Sequence, residues 1–188
     1  PMTFTAIGSI ANVSYNALGY SPSGVLYALP FTANQNHLLT LNQTTGAVTD
    51  EGVVAGLPGG TNFNTGTVGS DGVYYVKQVG NNGVIYAINP TAKTATAINL
   101  TQSFIASDMA WVGGAGGGLY AVDDNGQLLS IATNGTVAAI GAPDTTGGVL
   151  GAQFGGTNGL FGSANDGSGF YKIDLTTGKK TLISGAPG

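Results

Sequence analysis

The sequence predicts an all-β protein: a β-propeller of four to five four-stranded blades with negligible helix. Three observations carry this reading. A short phrase recurs four times, as GVLYAL (24–29), GVYYVK (72–77), GGLYAV (117–122) and NGLFGS (158–163), at intervals of 41 to 48 residues. That is the period at which a chain repeats a small four-stranded sheet. Each copy is flanked by further strand signals in a constant order. The composition, with 33 glycines and 8 tyrosines among 188 residues, suits short strands joined by tight turns.

The opening strand of each unit reads YNALGYSP (15–22), NTGTVGSD (64–71), SDMAWVGG (107–114) and GAQFGGTN (151–158). The recurring phrase is the second strand. The third reads HLLTLNQ (37–43), VIYAINP (84–90), QLLSIAT (127–133) and GFYKIDL (169–175). Within it Leu39 and Leu41, Tyr86 and Ile88, Leu129 and Ile131, and Tyr171 and Ile173 each stand two apart, the period of a half-buried strand. The fourth strand reads AVTDEGVV (47–54), TATAINLT (94–101), TVAAIGAP (136–143) and KKTLISGA (179–186). Between third and fourth strands lie TTG (44–46), TAK (91–93), TNG (133–135) and TTG (176–178); three of these four turns place glycine where a hairpin needs positive φ.

These units make a single domain, with approximate repeats over 10–63, 64–106, 107–150 and 151–188. The segment TFTAIGS (3–9) matches TVAAIGA (136–142), so residues 1–9 read as an extra outer strand. That strand closes a ring by completing the last blade, or ends a fifth blade. The length suits one domain burying roughly 70% of the surface its unfolded chain exposes.

Charge excludes several functions. Charged residues make up 7% of the chain, against a usual ~25%. All five basic residues are lysines (Lys77, Lys93, Lys172, Lys179, Lys180), arginine is absent, and the net charge is −4. Nucleic-acid and phosphate recognition rest on arginine forks and basic patches, so no nucleic-acid partner is expected. Cysteine is absent, which rules out thiol chemistry. No apolar run approaches the ~18 residues that a membrane span needs, so no membrane insertion is expected.

Catalytic chemistry finds little to work with. The sole histidine, His37, opens a third strand, and no G-x-S-x-G elbow accompanies it. A glycosidase needs two carboxylates about 5 to 10 Å apart across a cleft. Asp108 starts an opening strand, but the equivalent places hold Asn16, Asn64 and Gly151. The chain therefore reads as non-enzymatic, with no catalytic residues; a glycoside hydrolase-like enzyme using Asp108 is the distant alternative. No cofactor is expected. Calcium is the alternative at DDNG (123–126) and NDGSG (165–169), which lack the D-x-D-x-D-G spacing. The run GGAGGG (113–118) joins two strands with no helix after it, so it is a strand connection and not a phosphate loop.

The remaining candidate is the channel mouth, where the first residues of the opening strands gather. Asn16, Asn64, Asp108 and Gln153, with Trp111 further along its strand, are the candidate ligand-binding residues. Amides and a carboxylate beside an aromatic ring give directional hydrogen bonds and an apolar platform, which suits a carbohydrate or a peptide. The competing reading is that the amides bond one another and Trp111 is core.

Through YNALGYSPSGVLYAL (15–29), NHLLTLNQTTGAVTDEGVVAGLP (36–58), NTGTVGSDGVYYV (64–76), SDMAWV (107–112) and SGFYKIDLTTG (168–178), the chain resembles a family of uncharacterised bacterial propeller-like repeat domains. The resemblance covers nearly the whole chain. It implies a module of a longer, multi-domain bacterial protein, extracellular or at the cell surface; that the module acts in binding, adhesion or scaffolding is the reading of the residues themselves. The resemblance carries over no catalytic residues.

Overall fold

The computed structural model describes residues 5–8, 13–114, 117–157 and 159–185. Among them are sixteen strands and no helix. They form four antiparallel sheets of four strands each, every sheet in chain order, the blades of a β-propeller. Blade 1 comprises β1 (Tyr15–Tyr20), β2 (Leu26–Pro30), β3 (His37–Leu41) and β4 (Val48–Val53). Blade 2 comprises β5 (Phe63–Val68), β6 (Tyr74–Gln78), β7 (Asn82–Asn89) and β8 (Thr94–Phe104). Blade 3 comprises β9 (Ala110–Val112), β10 (Gly118–Val122), β11 (Leu128–Ile131) and β12 (Val137–Ile140). Blade 4 comprises β13 (Leu150–Gly156), β14 (Gly159–Ala164), β15 (Phe170–Ile173) and β16 (Lys180–Ser184).

The turns before the fourth strands follow from local chemistry. Gly46, Gly135 and Gly178 adopt φ of 71°, 91° and 74°. In blade 2 the same place is held by Lys93, with φ of 52°. An Asn or Asp at the start of three of these turns accepts backbone N–H groups: Asn42 Oδ1 those of Thr44 and Thr45, Asn89 Oδ1 that of Ala92, and Asp174 Oδ1 those of Thr176 and Thr177. Such side-chain bonds replace the backbone partners a turn leaves unsatisfied.

Burial goes further than half-buried strands. Consecutive residues Leu38 and Leu39 on β3, Tyr74 to Lys77 on β6, and Leu128 and Leu129 on β11 are all buried. Successive side chains point to opposite faces, so both faces of these strands are covered. Alternation in the sequence marks one face only, which is why the second was not legible.

The chain forms two compact units, one over Thr5–Asn99 and one over the described residues from Leu100 onward. In the first, Ala17, Leu29 and Leu38 of blade 1 pack with Phe63, Val68, Tyr74, Val76 and Ile88 of blade 2. The ring of Tyr27 stacks on that of Tyr74 at 5.8 Å. In the second unit, Ala110, Val112, Val122 and Leu128 of blade 3 pack with Leu150, Leu160, Tyr171 and Ile173 of blade 4.

Both units bring successive opening strands together in the same way. A Cβ on Gly66 of β5 would lie 2.0 Å from the Ala17 carbonyl oxygen of β1. One on Gly155 of β13 would lie 1.8 Å from the Trp111 carbonyl oxygen of β9. Only glycine permits that approach.

A second recurring contact joins the end of a fourth strand to the next blade. The Ala55 N–H donates to the Lys93 carbonyl, and the Thr101 N–H to the Gly135 carbonyl, both at 2.9 Å. Gly141 abuts Thr177 of the blade 4 turn, and Gly8 abuts Thr45 of the blade 1 turn, each with 1.9 Å between a built Cβ and the carbonyl oxygen. The described part of the expected outer strand over 1–9 is residues 5–8, which have no strand assignment. Residues 1–4 and 9 lie outside the described residues.

Candidate functional site

Asn16 and Asn64 stand where the opening strands are irregular, and Asp108 lies two residues before β9. The β1–β2 register shifts between Asn16 and Gly19, and the β5–β6 register between Phe63 and Thr65. Ala17, just after Asn16, has φ of 55°. Each side chain then folds back on its successor. Asn16 Oδ1 accepts the Ala17 N–H at 2.9 Å, Asp108 Oδ1 the Met109 N–H at 2.9 Å, and Asn64 Oδ1 the Thr65 hydroxyl at 3.1 Å. A bulge exposes backbone groups that the ladder no longer pairs, and a short amide or carboxylate can supply the missing acceptor.

Asp108 and Gln153 are brought together. Asp108 Oδ2 accepts the Gln153 N–H at 2.9 Å, and the Asp108 carbonyl accepts Gln153 Nε2 at 2.8 Å. The far side of the same amide pairs with β10: Val122 donates its N–H to Gln153 Oε1 at 2.9 Å, and its carbonyl accepts Nε2 at 3.1 Å. Gln153 is 4% exposed. Its amide therefore joins blade 4 to β10 and to the segment just before β9 in blade 3.

Trp111 lies elsewhere in blade 3. Together with Tyr120 it lines a cleft of about 430 Å³, bounded also by Gly117, Gly118, Ser130, Thr133 and Thr136. The β9–β10 register sets Trp111 opposite Leu119 and Tyr120 opposite Ala110, so the two aromatic side chains leave the sheet on opposite faces. Tyr120 is the tyrosine of the recurring phrase in blade 3. Its partial burial against the blade 3–blade 4 core leaves it contributing to that core and to the cleft. The backbone beneath Trp111 is fixed by the close approach of Gly155 and by the Gly113 N–H, which donates to the Gly156 carbonyl at 3.3 Å.

The remaining titratable groups serve turns and pairs. His37 Nδ1 lies 2.9 Å from Asp50 Oδ2. Burial raises the Asp50 pKa, but the His37 hydrogen bond and the Gly52 N–H outweigh it, and the carboxyl stays below its usual range. Asp123 Oδ1 accepts the N–H groups of Asn125 and Gln127, and Asp166 Oδ1 that of Ser168, so one carboxylate in each calcium-like turn holds turn backbone. No group of three or more His, Asp or Glu side chains placed to hold a metal occurs among the described residues. No helix among them is long and apolar enough to cross a membrane.

Solved structures share the fold at low identity. A catalytically inactive variant of virginiamycin B lyase from Staphylococcus aureus, with quinupristin, matches at 15% identity and a TM-score of 0.63, over 90% of this chain and 55% of that one. An auxiliary nutrient binding protein from Bacteroides thetaiotaomicron matches at 12% and 0.59, over 93% and 49%. The WD40 repeats of RRP9 match at 9% and 0.60, over 96% and 54%. The chain thus spans about half the length of these structures, and the likeness is one of fold. No curated protein matches it in sequence. Over residues 1–188 the chain matches, and belongs to, the repeat family of unknown function DUF6923.

Proposed function

We propose that this chain is a non-enzymatic binding module of a secreted or cell-surface protein, and that its blade 3 cleft takes a hydroxyl-rich ligand such as an oligosaccharide. The observation that carries the proposal is a cleft of about 430 Å³ whose lining includes one aromatic platform candidate, Trp111, and the hydroxyl-bearing Tyr120, Ser130, Thr133 and Thr136. Sugar rings offer C–H faces to aromatic platforms and hydroxyls to directional partners. A volume in the range of small-molecule sites fits one or two such rings. The pinned backbone at Trp111 keeps the platform in place before a ligand arrives, which lowers the ordering cost of binding. The sparse charge, with no arginine or cysteine, suits the extracellular setting that the family resemblance implies.

The test is a glycan array run beside a peptide array, with Trp111→Ala on both. Glycan hits lost in Trp111→Ala support the proposal. Silence on both arrays favours a scaffold role, and hits confined to peptides replace the ligand class.

A second reading, catalysis, draws on the His37–Asp50 pair at 2.9 Å, the arrangement in which a carboxylate orients an imidazole. It ranks second because Asp108, the other acid–base candidate, spends both oxygens on backbone N–H groups. Incubation with quinupristin, followed by mass spectrometry, is expected to return the compound intact. Turnover abolished by His37→Ala would reverse this ranking.

A further inference from the structure

A second cavity, of about 320 Å³, opens between blades 1 and 2. It is lined by Ser21, Ser23 and Tyr27 of blade 1, and by Asp71 and Asn89 with their neighbouring turn residues in blade 2. The two hairpins that frame it are equivalent. The Gly24 N–H donates to the Ser21 carbonyl at 2.9 Å, and the Gly72 N–H to the Gly69 carbonyl at 3.0 Å. Ser23 and Asp71 therefore occupy the same turn position in successive blades, a hydroxyl in one and a carboxylate in the other.

The carboxylate is held in place by two donors. Asp71 Oδ1 accepts the Val73 N–H at 3.0 Å, and Oδ2 accepts the Tyr75 hydroxyl at 3.3 Å. A carboxylate offers about four lone-pair sites, so these two bonds leave each oxygen able to accept again. The cations of this unit are engaged elsewhere. Lys77 Nζ donates to the carbonyls of Gln78 and Gly80, Lys93 Nζ to that of Glu51, and His37 pairs with Asp50. Burial, and then the charge of Asp71, push the Tyr75 phenol up to about 12. Tyr27 also lines the cavity, and aromatic faces attract cations.

We propose that this cavity binds a primary ammonium group, with Asp71 as its charge partner, Tyr27 as its aromatic wall, and Ser23 and Asn89 taking the polar atoms beside the amine. The ammonium can come from an amino sugar or from a lysine side chain. The site is separate from the blade 3 cleft, and its chemistry does not depend on that reading.

Isothermal titration at low salt tests it with D-glucosamine and Nα-acetyl-lysine methylamide, each beside its neutral counterpart, N-acetyl-D-glucosamine and Nα-acetyl-norleucine methylamide. At least one amine is expected to bind, its neutral counterpart to bind at least about tenfold more weakly, and added salt to weaken the amine. Which amine binds names the source. Asp71→Asn, which keeps an oxygen for the Val73 N–H, is expected to weaken binding by about tenfold or more with an unchanged unfolding midpoint. The proposal is overturned by equal binding of amine and neutral partner, by undiminished binding in Asp71→Asn, or by the failure of both amines to bind.

Discussion

Gln153 and Asp108 share two hydrogen bonds, 2.9 Å from the Gln153 N–H to the carboxylate and 2.8 Å from its side-chain amide to the Asp108 carbonyl. The same amide closes a pair of bonds with Val122. Gln153→Ala leaves the buried Val122 N–H and carbonyl without these partners. The expected cost is about 2–3 kcal/mol, read as a lowered urea midpoint. Asp108→Ala is expected to cost less, because Asp108 is only partly buried and its hydrogen bonds are less enclosed than those of Val122. The double variant should fall short of the sum by about 1 kcal/mol, since both residues belong to one network. Strict additivity would mean that the two residues act apart.

The close approach of successive opening strands makes a sharper prediction. Gly66→Ala and Gly155→Ala each place a methyl group against a backbone carbonyl, at 2.0 Å and 1.8 Å. Neither strand can yield without breaking its own ladder, so each variant should lose about 3 kcal/mol or more, or fail to fold. Gly60 is the control. It has φ of 74° but open space around it, so Gly60→Ala carries only backbone strain, about 1 kcal/mol. Equal losses at Gly60 and Gly66 would contradict the steric account.

These relationships mark what the sequence could and could not tell. Strand identity was legible because each element carries its own local signal: paired apolar residues in β11, a turn glycine at Gly135, an Asp at Asp174. Lys93 breaks the glycine pattern, yet the turn forms, because Asn89 supplies the acceptor for the Ala92 N–H and the backbone tolerates φ of 52°. The candidate site was legible only in part. Trp111 stood out as the single tryptophan. Its cleft did not, because bringing Tyr120, Ser130 and Thr136 around it depends on strand pairing whose register sequence leaves open. Gln153 looked like a ligand-facing amide, and nothing in a period of two marks a side chain that reaches across to the neighbouring blade. The buried ammonium of Lys77 was equally hidden, since its acceptors are carbonyls of the adjacent turn.

Because Trp111 is the only tryptophan, its emission reports on the blade 3 cleft alone. Titration with an oligosaccharide found on the array should change that emission saturably. Trp111→Phe keeps a smaller platform and should weaken binding on the order of tenfold, whereas Ser130→Ala should cost a few-fold. A saturable ligand that leaves the emission unmoved would place the binding site outside this cleft.

Asp144 ties the start of blade 4 to its last strand and gives the fold a defined acid sensitivity. Its Oδ2 accepts the Lys180 N–H at 2.8 Å and its Oδ1 the Thr146 N–H at 3.0 Å, while Lys180 Nζ caps the carbonyls of Thr146 and Gly148. The Lys180 N–H, followed by the Thr146 hydroxyl and N–H, lowers the Asp144 pKa from 3.8 to about 2. The folded chain therefore holds the ionised form to lower pH than the unfolded chain does. The resulting stability is fully present above about pH 4 and is lost as pH falls towards 2. The carboxylate is partly solvated, which reduces the nominal effect to about 1 kcal/mol. Unfolding of wild type and Asp144→Asn, measured from pH 6 to pH 2, should give a gap that is constant above pH 5 and closes by pH 2. A gap independent of pH would assign the contribution of Asp144 to hydrogen-bond geometry alone.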